Sequence, residues 1–64
     1  MLPMKYREFV RDLREDGWQL KSQEGSHQQW VHPSKPGKVT VAGHPNDEIP
    51  VGTLKAMRKQ AGLK

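Results

Sequence analysis

The sequence predicts a small α+β domain with the order helix, three antiparallel strands, helix. Three observations support this prediction. Apolar residues recur at helical spacing near both ends of the chain, the central part alternates apolar with polar residues, and turn-forming residues separate the alternating stretches. The 64 residues suit a single domain spanning positions 1–64, and we expect positions 1–3 to be a ragged N-terminus.

The first helix is indicated by four apolar residues at spacing i, i+3, i+4 and i+7, which are Tyr6, Phe9, Val10 and Leu13. The opposite face of this helix carries charged residues. Gly17 follows as a C-terminal stop, because glycine readily adopts the left-handed conformation that ends helices. No good side-chain N-cap stands near Tyr6, so we expect the first turn to fray.

Three alternating stretches predict the strands. The first covers residues 17–23, the second runs from His27 to His32, and the third covers residues 38–41. Glu24, Gly25 and Ser26 turn the chain between the first two strands. Parity along the strands places five residues under the helices: Trp18, Leu20, Trp30, Val39 and Val41. The opposite face would be wet and basic and would show Gln19, Lys21, His27, Gln29, Val31, Lys38 and Thr40.

The second helix begins at Pro50, which suits the first helical position because its missing N–H needs no partner there. Its apolar face consists of Leu54, Met57 and Ala61. Gly62 can end this helix, and Leu63 can pack back against the core. A three-stranded meander with both helices on one face is therefore the economical packing.

The charge distribution favours a polyanionic or acidic partner. The net charge is +4, and residues 1–16 carry equal numbers of basic and acidic residues. The whole excess thus lies from Gly17 onward, in the strand region and the last helix. Nucleic acid, or an acidic protein, suits a basic face of this kind.

Composition excludes several classes of function. The chain has no cysteine, which removes disulfides and thiolate metal sites. No run approaches the roughly 18 apolar residues of a membrane helix, so we expect a cytoplasmic protein without membrane contact. A domain this short has no room for a deep substrate cavity, and nothing in the sequence calls for a cofactor.

His27 is the candidate catalytic residue. It directly follows the Gly25-Ser26 turn and lies by parity on the wet, basic face. An imidazole titrates near neutral pH and is suited to proton transfer. A zinc site is not expected, because His27 and His32 point to opposite faces of one strand and His44 lies in a separate loop.

A single histidine suits RNA cleavage, because RNA carries its own nucleophile in the 2′-hydroxyl. The protein must hold an in-line geometry, move a proton and stabilise the charge that develops on the phosphate. His27 would move the proton. Lys21, Lys38 or the N–H groups of Gly25 and Ser26 would meet the charge, with Gln29 on the same RNA-binding face. The sequence does not identify a second proton-transfer group.

Several segments at fixed spacing carry a family resemblance: Gly25-Ser26-His27, Trp30, His32-Pro33, Gly37-Lys38-Val39-Thr40-Val41, Ile49-Pro50, Gly52-Thr53-Leu54 and Gln60-Ala61-Gly62-Leu63. Together they resemble the HicA family of toxins over almost the whole chain. The resemblance implies a double-stranded-RNA-binding-domain-like fold and a metal-independent endoribonuclease, an mRNA interferase of a type II toxin–antitoxin system. It also implies that His27 is catalytic and that a HicB-like antitoxin covers it. Gln28 stands where many members have a second, non-essential histidine, so we expect activity to be kept.

Two alternatives remain open from the residues. The first is a non-catalytic RNA-binding module of the same fold. Such modules usually carry a dense lysine cluster at the start of the last helix, whereas the first turn here is Pro50-Val51-Gly52-Thr53, and the first basic residue of the helix is Lys55. The second is an adaptor domain whose basic face meets an acidic protein, which would leave His27 without a role.

Overall fold

The computed structural model describes residues 3–63, and it has the predicted order of elements. These are α1 (Tyr6–Asp16), β1 (Gln19–Glu24), β2 (His27–Val31), β3 (Val39–Ala42) and α2 (Val51–Ala61). The strands form one antiparallel sheet in the order β1-β2-β3. The predicted α+β, double-stranded-RNA-binding-domain-like fold is confirmed, although the strand bounds shift by one or two residues. Neither helix in the described range has the length and apolar character needed to span a bilayer.

The core lies between the two helices and one face of the sheet. Trp30 and Val39 are directly opposite each other on β2 and β3, and both are buried. Both tryptophans belong to this core, as predicted. The buried residues are Phe9, Leu13, Trp18, Trp30, Val39, Val41, Ile49, Leu54, Met57 and Ala61. The other side of the sheet, which we call the outer face, exposes His27, Gln29, Thr40 and Ala42.

The prediction that Leu20 lies buried under the helices is wrong, since its side chain is 40% exposed. Leu20 pairs with Trp30 and therefore points to the helix side of the sheet. However, all six residues of β1 are exposed, whereas Trp30 on β2 and Val39 and Val41 on β3 are buried, so the helices cover mainly the other two strands. The register also shifts between Leu20 and Ser22, so that Lys21 is the extra residue of a bulge.

The N-terminus of α1 is held by backbone groups. The N-cap position is Lys5, one residue before Tyr6, and it provides no side-chain cap, as predicted. Instead, the N–H groups of Tyr6 and Arg7 donate to the carbonyls of Asp47 (3.1 Å) and Pro45 (3.0 Å). Backbone carbonyls thus pair the N–H groups that a side-chain cap would otherwise have to satisfy, so the missing cap no longer predicts fraying of the first turn.

Both helices end as predicted. Gly17 and Gly62 follow α1 and α2 in the left-handed conformation, with φ of 105° and 67°. Leu63 packs back against the core. At the other end of α2, Pro50 is the N-cap rather than the first helical residue, with an extended ψ of 140°. The predicted ragged segment 1–3 falls largely outside the described residues, which begin at Pro3.

Candidate functional site

A two-residue turn fixes the position of His27. Glu24 and His27 are directly opposite each other, so only Gly25 and Ser26 join β1 to β2. Gly25 has a φ of 57°, and no residue other than glycine has a positive φ among those described. This combination is typical of a type II′ hairpin turn, which needs glycine at its first central position. The Gly-Ser-His segment therefore places the histidine on the first residue of the central strand.

The imidazole of His27 is open to a ligand. The residue is exposed on the outer face, with Glu24 opposite it on β1 and Ala42 opposite it on β3. Within residues 3–63 its ring makes no hydrogen bond to another protein group. Directly opposite residues have Cβ atoms about 4.5–5.5 Å apart, so the Glu24 carboxylate lies within reach of the ring. Sequence reasoning missed Glu24, because it assigned this residue to the turn rather than to the end of β1.

The turn itself offers donors beside the imidazole. In the described part of the chain, the N–H groups of Gly25 and Ser26 donate to no other backbone group, and both residues are exposed. The Ser26 carbonyl accepts from Gly43 (3.3 Å), which ties the turn to the end of β3. Free N–H groups on a braced turn can stabilise an anionic oxygen.

The remaining predicted RNA-binding residues lie farther from His27 along the sheet. Gln29 lies between Ser22 and Thr40, two positions from His27. Lys21, at the bulge, follows the position opposite Trp30 and lies roughly 7–10 Å from the level of His27. Lys38 directly precedes β3 at the other end of the sheet, roughly 13 Å away along the strands. The structure thus brings Gly25 and Ser26 next to His27, whereas both lysines lie farther along the sheet.

Comparison with models of protein families shows which family the chain belongs to. The sequence model described as HicA toxin of bacterial toxin-antitoxin matches residues 6–63, which include all five elements. The chain belongs to this family. Membership makes it a toxin of a toxin–antitoxin pair and implies an antitoxin partner. Comparison with curated proteins finds no match.

A second histidine of this HicA-family toxin, His32, is structural. Its Nδ1 accepts from the backbone N–H groups of Ser34 (3.0 Å) and Lys35 (3.2 Å). An accepting Nδ1 requires the proton on Nε2, which donates to the Asp16 carbonyl at 2.8 Å. The ring also meets Trp18 edge-on, with 5.3 Å between centroids. With its side chain 8% exposed and both nitrogens engaged, His32 is not available to a substrate.

Asp16 and Lys35 complete this cluster, which joins the ends of both helices to the β2–β3 loop. The Lys35 ammonium lies 2.5 Å from the Asp16 carboxylate and donates to the Ala61 carbonyl at 3.3 Å. The hydrogen bond from Lys35 lowers the pKa of the Asp16 carboxyl below its ordinary value of 3.8, against a smaller opposing effect of burial. We call His32, Asp16 and Lys35 the His32 junction. It explains why Lys35 does not belong to the basic outer face.

No group of three or more histidine, aspartate or glutamate side chains comes together among residues 3–63 in a way that could hold a metal ion. The third histidine of the toxin, His44, lies in the connection between β3 and α2. It lines a cleft on the helix side of the sheet, next to the Gly25-Ser26 turn. The three histidines therefore occupy three different environments: the outer face, the His32 junction and the cleft.

Proposed function

We propose that this toxin is a metal-independent endoribonuclease that cleaves mRNA, and that His27 moves a proton in the cleavage step. The observation that carries the proposal is an exposed imidazole without a protein partner, fixed by a type II′ turn beside two free N–H groups. The family context of a bacterial toxin supports an activity that arrests the cell.

The proposed step uses only groups of the RNA and of this site. The 2′-hydroxyl loses its proton and attacks the adjacent phosphorus, the bond to the 5′-oxygen breaks, and that oxygen takes up a proton. One group must accept the first proton and another must supply the second. Glu24 and His27, opposite each other on β1 and β2, supply a carboxylate and an imidazole for these roles. The turn N–H groups would stabilise the charge on the phosphoryl oxygens.

A type II antitoxin of the HicB kind would neutralise the toxin by covering His27. The outer face is exposed around His27, Gln29 and Thr40, and the exposed edge of β1 adjoins it. A protein seated there would exclude RNA from the imidazole and from the turn. The antitoxin and the RNA would then compete for the same surface.

Cleavage of a defined mRNA fragment by purified toxin tests the proposal. Wild-type protein should cleave in the presence of a chelator, and His27→Ala should lower the rate by about 100-fold or more, since a positioned acid or base contributes roughly that factor. His44→Ala removes an exposed imidazole outside the outer face and should keep a substantial part of the cleavage rate. Bound but uncleaved RNA in the wild-type reaction would favour the non-catalytic RNA-binding alternative.

The role of Glu24 has its own test. Glu24→Gln keeps the size of the side chain but cannot accept the proton, so cleavage should slow while RNA affinity stays unchanged. Equal rates for wild-type and Glu24→Gln would assign the second proton transfer elsewhere.

A further inference from the structure

A cleft of about 400 Å³ opens on the helix side of the sheet, at the end where the Gly25-Ser26 turn lies. Its apolar walls come from Tyr6 and Val10 of α1 and from Val41 of β3. The volume falls within the roughly 300–1,000 Å³ of small-molecule sites. Gly43 shapes the cleft, because a Cβ there would lie 2.5 Å from the Tyr6 ring. Glycine at this position makes room for the Tyr6 ring, which lies against the backbone and forms a flat wall of the cleft.

Two glutamine amides line the cleft and are oriented by their own hydrogen bonds. Gln23 and Gln28 are directly opposite each other on β1 and β2. Gln23 Nε2 donates to the Gly25 carbonyl (3.2 Å), which leaves its Oε1 free to accept. Gln28 Oε1 accepts from the indole N–H of Trp30 (3.3 Å), which leaves its Nε2 free to donate. The pair therefore offers one free acceptor and one free donor from directly opposite positions of the sheet.

We propose that this cleft receives one unstacked nucleobase of the RNA held at His27, and that the glutamine pair selects adenine or cytosine. Both bases carry an amino donor next to a ring nitrogen acceptor on their pairing edge. The amino group would donate to Gln23 Oε1, and the ring nitrogen would accept from Gln28 Nε2. Uracil and guanine present a carbonyl acceptor and a ring N–H donor at these positions. Their acceptor would face Gln23 Oε1 and their donor would face Gln28 Nε2, so neither hydrogen bond could form. Recognition of a splayed base by amide groups and an aromatic wall is typical of single-stranded RNA sites.

The position of the cleft supports this occupant. Gly25 and Ser26 line the cleft and also precede His27, so one turn borders both the cleft and the catalytic imidazole. Arg7, at the rim, bonds only weakly to Asn46 (3.4 Å) and can meet a phosphate. An RNA strand that crosses the turn would place its phosphate at His27 and an adjacent base in the cleft. The inference rests on the proposed ribonuclease function and adds a specificity site to it.

The test is to map cleavage ends on RNA of random sequence. At one fixed position next to the cleaved bond, wild-type toxin should show adenine or cytosine about ten times as often as uracil or guanine. Gln28→Glu keeps the acceptor for Trp30 but removes the Nε2 donor, so this enrichment should disappear. Gln29→Glu is the matched control, with the same chemical change on the adjacent outer-face residue. It should lower cleavage at all sites alike and leave the base preference unchanged.

Binding to uncleavable 2′-deoxy oligonucleotides separates the two proposals. If wild-type protein binds adenine- or cytosine-containing strands preferentially and Gln28→Glu does not, the base site stands even if no cleavage occurs. Cleavage without base preference at any position, or a preference that survives Gln28→Glu in protein with a wild-type melting curve, would overturn the inference. A Gln28→Glu change that weakens antitoxin binding and leaves the RNA preference intact would also overturn it, by assigning the cleft to the protein partner.

Discussion

Replacing His32 with alanine should destabilise the toxin strongly, although this residue touches no substrate. The substitution removes the Nδ1 acceptor from the N–H groups of Ser34 and Lys35, and the Nε2 donor from the Asp16 carbonyl. It also removes the edge-on contact with Trp18. The C-terminal end of α1 would then lose the side chain that joins it to the β2–β3 loop.

The magnitude follows from these contacts. The N–H groups of Ser34 and Lys35 share one acceptor, so we count about two hydrogen bonds and one aromatic contact. At about 0.5–1.5 kcal/mol each, these give about 3 kcal/mol in total. A domain of 64 residues has a free energy of unfolding of roughly 3–10 kcal/mol. The loss therefore takes a large share of the stability, and a visible fraction of His32→Ala should be unfolded at 37 °C.

Urea unfolding followed by circular dichroism measures this loss. At a slope of about 1–1.5 kcal/mol per molar urea, the midpoint should fall by roughly 2–3 M. His32→Asn, whose carbonyl can replace the Nδ1 acceptor but not the Nε2 donor, should recover part of the loss. His44→Ala, at an exposed position, should stay within about 0.5 kcal/mol of wild type. A wild-type midpoint for His32→Ala would refute the structural role of the His32 junction.

Three further predictions address the core, the acid response and the basic face. Trp30→Ala should cost about 3 kcal/mol or more in unfolding free energy, because it leaves a cavity under both helices; solvent-exposed tryptophan emission from native protein would contradict this. Because Lys35 lowers the pKa of Asp16 in the folded state, the resulting stability is present above the unfolded value near 3.8 and is lost as pH falls through the lower folded value. Acid unfolding of Asp16→Asn should lack this part of the pH dependence. Lys21→Ala and Lys38→Ala should each weaken RNA binding and reduce its salt dependence. An RNA affinity that does not change with salt concentration would show that the basic face is not the RNA-binding surface.

The arrangement of the fold was predictable because local patterns and burial agree over most of the chain. Phe9 and Leu13 on α1, and Leu54 and Met57 on α2, are buried at the positions that helical spacing selects. Leu20 breaks the agreement, since alternation gives the face of a residue but not whether a helix covers that part of the face. Its exposure depends on which strands the helices cover, a property of the whole assembly.

The site was predictable only where neighbouring residues define it. The Gly25-Ser26 turn and His27 are contiguous, so their relation follows from turn chemistry. Glu24 comes opposite His27 through the register, and the bulge at Lys21 was not expected from the alternation. The role of His32 depends on Asp16, sixteen residues earlier in the sequence. Contacts between residues this far apart in the sequence come from tertiary packing and leave no periodic signal in the sequence.

In the proposed mechanism, His27 moves a proton while the 2′-hydroxyl of RNA attacks the adjacent phosphorus. The most direct measurement is mass spectrometry of the products from a short RNA and from the same strand with one 2′-deoxy nucleotide at the cleavage position. We expect a 2′,3′-cyclic phosphate and a 5′-hydroxyl from the RNA with wild-type toxin, and no cleavage of the deoxy strand or by folded His27→Ala protein. A 3′-hydroxyl with a 5′-phosphate, cleavage of the deoxy strand, or a wild-type rate for His27→Ala would contradict the account.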